Sequence, residues 1–186
     1  LRIITRLMID IKKLYRLDYN PTPDWGLNGY ETDKIFVVSA IEIGTSFEFS
    51  IREKNQPYKK VWETDSKNID DLNKIIEQGH SFGAFFNNEL IGWIICDFRA
   101  WNNSLFIENL LIDEKFRGQN IGKLFIKSIN REARKLLCRI VELETQNTNY
   151  PAIKFYQSAG FRVTGINTKM YNNSVETALF MSYDVL

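Results

Sequence analysis

The sequence predicts a mixed α/β fold on a mostly antiparallel sheet, and three observations carry that reading. Residues 81–112 form three β-rich runs separated by Asn87-Asn88 and Asn102-Asn103, the pattern of an antiparallel meander. After Ile112 the apolar period lengthens: Ile121, Leu124, Phe125, Ile129, Ala133 and Leu136 trace one face of a helix. From residue 139 onward β-rich and helical runs alternate, as strand 139–145, helix 150–158, strand 161–166 and a last strand 178–184.

Earlier elements follow from the same rules. Ile4, Leu7, Met8, Ile11, Leu14 and Tyr15 recur at three- and four-residue steps, which predicts an amphipathic helix over 3–17. Pro21, Pro23, Gly26 and Gly29 break regular structure over 20–33. Residues 35–43 and 46–52, parted at Gly44, suit a β-hairpin. Ile69, Leu72, Ile75 and Ile76 mark a short helix that Gly79 ends. Within the meander the strands are 81–86, 90–98 and 105–112.

The 186 residues, 44% hydrophobic and 25% charged, suffice for one sizeable core, so a single domain over 1–186 is expected. A formal charge of +1 offers no electrostatic case for nucleic acid or a membrane surface, so a charged ligand must be recognised locally. Cys96 and Cys138 sit in apolar stretches without ligand spacing and read as core thiols. No apolar run approaches the ~20 residues of a membrane span, and no small-residue cleavage site follows the basic start, so a cytoplasmic protein is expected. The single histidine, His80, belongs to no metal-like or nucleophile–base constellation, so neither a metal site nor imidazole catalysis is expected.

Two stretches carry chemistry. The strand 105–112 leads through Arg117-Gly118-Gln119-Asn120-Ile121-Gly122 into a helix, and glycines there let backbone amides at the helix start approach a pyrophosphate. A tight strand–helix turn would use the same glycines; neither a dinucleotide fingerprint nor a Walker loop is present. Downstream, Asn149 suits an N-cap, Pro151 the first helical turn and Gly160 the left-handed residue past the end. Of the adjacent aromatics Phe155 and Tyr156, only one can point squarely inward, and Tyr156 could be a boundary residue with its hydroxyl in water.

The run from Phe116 to Gly122 resembles the acetyl-coenzyme A signature of the GNAT superfamily, Arg/Gln-x-x-Gly-x-Gly/Ala, and Asn149 to Phe161 resembles its second segment, Asn-x-x-Ala-x-x-Phe-Tyr-x-x-x-Gly-Phe. The motif-bearing part is about 82–184, and Asn120 stands where that superfamily usually has glycine. Asparagine tolerates positive φ best among non-glycine residues, so the loop can keep its shape. Leu143-Glu144-Thr145-Gln146, Phe155-Tyr156 and Gly165-x-x-Thr168-x-x-Tyr171 look most like streptothricin acetyltransferases, which acetylate an amine of an antibiotic.

The resemblance implies a V-shaped splay at the centre of the sheet, helices on both faces, and an acceptor side formed by the N-terminal part. It implies acetyl-coenzyme A as co-substrate and a small cationic amine as acceptor. Glu108 is then the candidate base and Tyr156 the general acid for the thiolate. Glu108 could equally be a rim residue on one pleat face. The Leu110 N–H would polarise the thioester carbonyl, and Leu111 and Ile112 would pair with pantetheine. Arg117, Gly118, Asn120, Ile121, Gly122 and Lys123 would hold the pyrophosphate, and Asn149 the pantetheine arm. The acceptor could instead be a polyamine, an aminoglycoside, or a protein lysine or N-terminus, and a non-catalytic acyl-coenzyme A sensor is the reading from another class. The final β-rich segment could pair across a homodimer.

Overall fold

In the computed structural model, which describes residues 9–18, 25–62 and 66–185, the strands are β1 (Asp10–Lys13), β2 (Gly29–Ile43), β3 (Ser46–Val61), β4 (Phe82–Phe86), β5 (Glu89–Arg99), β6 (Ser104–Ile112), β7 (Ile140–Gln146), β8 (Arg162–Asn167) and β9 (Ala178–Asp184). Three helices accompany them: α1 (Ser66–Ile76), α2 (Ile121–Lys135) and α3 (Tyr150–Ser158). The chain divides into two compact units, one of residues 1–28, 63–141 and 184–186, the other of 29–62 and 142–183.

In the first unit the strand order is β1-β4-β5-β6, each pair antiparallel. The turn between β4 and β5 uses Asn87 and Asn88, both at positive φ (50° and 66°), which twists the hairpin in the sense its strands require. Trp93 and Ile95 of β5 face a cluster with Leu14, Leu17, Ile69 and Ile76, so α1 covers that side. Their alternates Ile94 and Cys96 are fully buried on the other side. Helix α2 lies against β1, β4, β5 and β6 and buries Ile121, Phe125, Ile129 and Ala133. Each of its large apolar side chains contributes about 1.5–3 kcal/mol. Cys96 and Cys138 are free, buried thiols, and burial raises the pKa of both, as core packing requires.

In the second unit β9 lies between β7 and β8, with β8 and β9 antiparallel, and β2 and β3 form a separate long hairpin. Buried Asn147 joins this hairpin to the strand lead-in. Its Nδ2 donates to Phe36 O at 2.6 Å, its Oδ1 accepts from Thr177 N at 2.6 Å, and its backbone O accepts from Phe36 N at 3.0 Å. Phe36 stacks on Tyr150 at the start of α3, with centroids 5.3 Å apart.

Three sequence expectations need correction. The amphipathic period over 3–17 does not make a helix where the chain is described: β1 occupies residues 10–13 and residues 14–18 are irregular. Residues 3–8 of that span lie outside the described residues. Pairing of Ile11 with Ala84 and of Lys13 with Phe82 outweighs local propensity, and the three-residue step from Leu14 to Leu17 reflects an irregular segment buried on α1. Asn73 clamps that segment, donating to Leu17 O at 3.0 Å and accepting from Leu17 N at 2.7 Å.

The break expected over 20–33 ends sooner, because β2 starts at Gly29; residues 20–24 of it lie outside the described residues. The second hairpin strand runs past residue 52 to Val61, through Pro57. The register slips there, with Gln56 and Pro57 set against Asp33 alone, and this bulge accommodates a residue that has no N–H to give.

Candidate active site

The turn from β6 into α2 is built backward from its helix. A 3-10 turn, Glu114–Phe116, is capped by Asp113, whose side chain accepts from Lys115 N at 3.0 Å. Gly118 follows at φ +77°, where nothing lies within 4 Å of the position a Cβ would take, so the backbone angle and not crowding requires glycine. Asn120 takes the left-handed region at φ 65° and caps α2 without a side-chain hydrogen bond. Its carbonyl accepts from Leu124 N at 3.1 Å, so the amides of Ile121, Gly122 and Lys123 have no acceptor within the helix. They stand at the positive end of the helix dipole with no acidic residue in the first turn, a donor set that fits a pyrophosphate.

Arg117 braces this turn through its side chain. Its Nε donates to Ile112 O at 3.0 Å and a terminal nitrogen donates to Leu27 O at 2.5 Å. Glu114 completes the strap, accepting from Leu27 N at 2.9 Å while its own N–H donates to Trp25 O at 3.0 Å. A side chain at Gly26 would stand 2.1 Å from the Glu114 carboxylate. Sequence reasoning missed Gly26, Leu27 and Glu114, because no local pattern ties positions so far apart in the chain.

Strand β6 carries a bulge. Ile95 faces Asn109 and Cys96 faces Ile107, which leaves Glu108 as the extra residue. Beyond it Leu110, Leu111 and Ile112 pair with Ile94, Trp93 and Gly92 and are half-buried. Glu108 is exposed by surface area. Burial raises its pKa above the ordinary 4.5; Arg99 opposes the rise and Asp97 adds to it. Arg99 is itself placed by Asp97 Oδ2 at 3.2 Å and by the Phe106 ring, 3.5 Å from its guanidinium carbon. Gln78 donates to the other Asp97 oxygen at 2.8 Å.

In the second unit Asn149 caps α3, accepting from Ala152 N at 3.3 Å, and Gly160 takes φ +96° past its end. Tyr156, not Phe155, is the inward member of the aromatic pair, at 7% exposure, packed on Phe155 and Phe161. Tyr171 donates to the Glu144 carboxylate and accepts from Gln146 Nε2 at 3.0 Å, joining two segments that the sequence resemblance singled out. Burial, then Glu144, raises the Tyr171 phenol above its ordinary 10, so it stays a donor at neutral pH. Nearby, Lys60 donates to both oxygens of buried Glu176 at 2.7 Å, and Tyr58 donates to the same carboxylate at 3.1 Å. Lys60 also faces the rings of Trp62 and Tyr171.

His80 contributes to neither set. Its Nδ1 lies 3.1 Å from Glu132, which Lys13 also meets at 2.8 Å, on the side of α2 toward β1. None of the described helices is long and apolar enough to cross a membrane.

Residues 48–161 match the Acetyltransferase (GNAT) family. The chain belongs to that family. This GNAT chain is 30% identical to the streptothricin acetyltransferase of Streptomyces lavendulae over 166 residues, 84% of this chain and 86% of that protein. It is 29% identical to the streptothricin acetyltransferase of Escherichia coli over 157 residues, 82% of this chain and 84% of that protein. A crystal structure of nourseothricin acetyltransferase shares the GNAT fold at TM-score 0.71 and 23% identity, covering 96% of this chain and 99% of the other. A candidate streptothricin acetyltransferase of Bacillus anthracis, solved in complex with acetyl coenzyme A, gives the same TM-score and identity over 95% and 99%. The family match thus begins well before residue 82, inside β3.

Proposed function

We propose that this GNAT acetyltransferase transfers the acetyl group of acetyl-coenzyme A to a primary amine of a small cationic molecule of the streptothricin class, inactivating an antibiotic. The observation that carries the catalytic reading is the bulge at Glu108, which sets a carboxyl of raised pKa beside Arg99 and Asp97 on a largely apolar strand. A lysine-like ammonium of pKa about 10.4 lies roughly three units above neutral pH, so releasing the free amine costs about 4–5 kcal/mol unless a base assists. Glu108 is that base, directly or through water.

The pyrophosphate is held by the amides of Gly118, Asn120, Ile121, Gly122 and Lys123, with Arg117 as the brace that keeps the turn in shape and adds positive charge. Leu110 N–H polarises the thioester carbonyl, Leu111 and Ile112 pair with pantetheine, and Asn149 contacts the pantetheine arm with the amide nitrogen its capping role does not use. Tyr156 returns a proton to the departing thiolate. The whole of 1–186 acts as one catalytic domain whose N-terminal part supplies the acceptor side, in the cytoplasm. Similarity to streptothricin acetyltransferases over more than four-fifths of the chain supports this substrate class, as does the Glu144–Tyr171–Gln146 junction.

Free-thiol release from acetyl-coenzyme A, measured against streptothricin, spermidine, kanamycin and a lysine peptide, tests the reading. Turnover confined to streptothricin supports it. Turnover with another amine moves the substrate and keeps the chemistry; thiol release with none of them removes the catalytic assignment.

A further inference from the structure

We infer that the tip of the β2–β3 hairpin is the contact between two copies of this chain, packed antiparallel through one face of the ribbon. The hairpin is held by Phe36, Asn147 and Tyr150. Beyond Phe36 the two strands form a ribbon with no third strand in their sheet among the described residues. On one face of it apolar side chains are open to solvent: Val37 is 40% exposed, Ile41 48% and Ile43 62%, while Phe47 and Phe49 are exposed on the opposite face. An isolated two-stranded ribbon is marginal in water, and apolar side chains open along one of its faces call for a cover.

The order of residues on one face says what the cover is. Directly paired residues share a face, so Val37 with Arg52, Ser39 with Ser50, Ile41 with Glu48 and Ile43 with Ser46 form successive rows on the same side. A two-fold axis through the serine row lays a second ribbon over the first with its direction reversed. Ile41 then meets Val37 of the other copy, and Glu48 meets its Arg52. The two serines at the centre let the backbones approach. The pattern is therefore complementary to itself in both charge and apolar character, the property an isologous interface needs.

The test is sedimentation equilibrium of the full chain across a concentration series, with thermal unfolding as a check on folding. The expected wild-type result is a dimer of the 21.8 kDa chain. Ile41→Asp, at an exposed site, weakens dimerisation by about tenfold or more, and at a dilution where both chains are monomeric its melting temperature matches that of the wild type. Arg52→Glu weakens it as well, and Arg52→Glu with Glu48→Arg restores it, because only the antiparallel arrangement brings these two residues together between copies. Phe49→Asp, on the opposite face, leaves the dimer intact. A wild-type monomer throughout the series overturns the inference, whatever else the ribbon binds. So does a dimer insensitive to both Ile41→Asp and the charge pair, or one dissolved by Phe49→Asp alone.

Discussion

The indole N–H of Trp93 donates to Asn109 Oδ1 at 2.7 Å, one residue beyond the bulge at Glu108. Trp93 is only 2% exposed, so its N–H has little recourse to water if this acceptor is lost. The bond therefore pins the bulged strand from the side that α1 covers. Asn109→Leu should destabilise the fold by about 1–3 kcal/mol and lower kcat, with the KM for acetyl-coenzyme A nearly unchanged. Asn109→Asp, which keeps an acceptor, should recover most of both. Equal loss in the two variants would show that the acceptor does not position the bulge.

Glu108→Gln should lower kcat by about 10²–10⁴, the ordinary yield of a positioned base. The carboxylate is the active form, so the rate should rise as pH climbs through the raised pKa of Glu108. Arg99 holds that pKa down and Asp97 pushes it up. Arg99→Met should therefore move the rising limb of the pH–rate profile to higher pH, and Asp97→Asn to lower pH. Shifts in one common direction would disconnect the limb from Glu108.

Gly118 and Asn120 both hold positive φ, at opposite cost. Gly118→Ala places a Cβ where space is free but the angle is unfavourable, at about 1–2 kcal/mol, and should raise the KM for acetyl-coenzyme A by roughly tenfold. Asn120→Gly relieves the same strain and should leave that KM equal or lower. Titration of each variant with coenzyme A by calorimetry checks both signs.

Tyr156→Phe keeps the ring that packs between Phe155 and Phe161, so the fold should persist while kcat falls by about 10² or more. Undiminished turnover would end its assignment as general acid.

Burial pushes the Glu132 carboxyl upward, but hydrogen bonds from Lys13 and His80 outweigh it and hold its pKa below the ordinary 4.5. A carboxyl depressed in the folded state stabilises above its unfolded pKa, about 4.5, and that stability fades as pH falls through the lower folded value. Glu132→Gln removes the counter-charge of Lys13, which keeps Gly79 O as an acceptor at 2.6 Å, and should cost about 1–2 kcal/mol at neutral pH, less than a fully buried pair because Lys13 also keeps some solvent access. Urea denaturation at pH 7 and pH 3 should show this penalty shrinking at the lower pH.

Much of this protein is decided by local patterns in its sequence. The meander turns lie at asparagine pairs because asparagine tolerates positive φ, and α3 begins and ends where Asn149 and Gly160 dictate. The Gly118–Gly122 turn is legible for the same reason: its chemistry resides in the backbone of consecutive residues. What local patterns could not decide depends on partners remote in the chain. The apolar period before residue 18 reads as a helix, yet strand pairing with β4 takes residues 10–13 and α1 takes Leu14 and Leu17. The strap from Trp25–Leu27 to Glu114 and Arg117, the inward turn of Tyr156, and the Tyr171–Glu144 bond all join segments whose spacing has no period. Above all, the single extra residue that makes Glu108 a bulge is a matter of register between β5 and β6. Register is set by which side chains the two faces of the sheet must bury, and only the assembled core settles that.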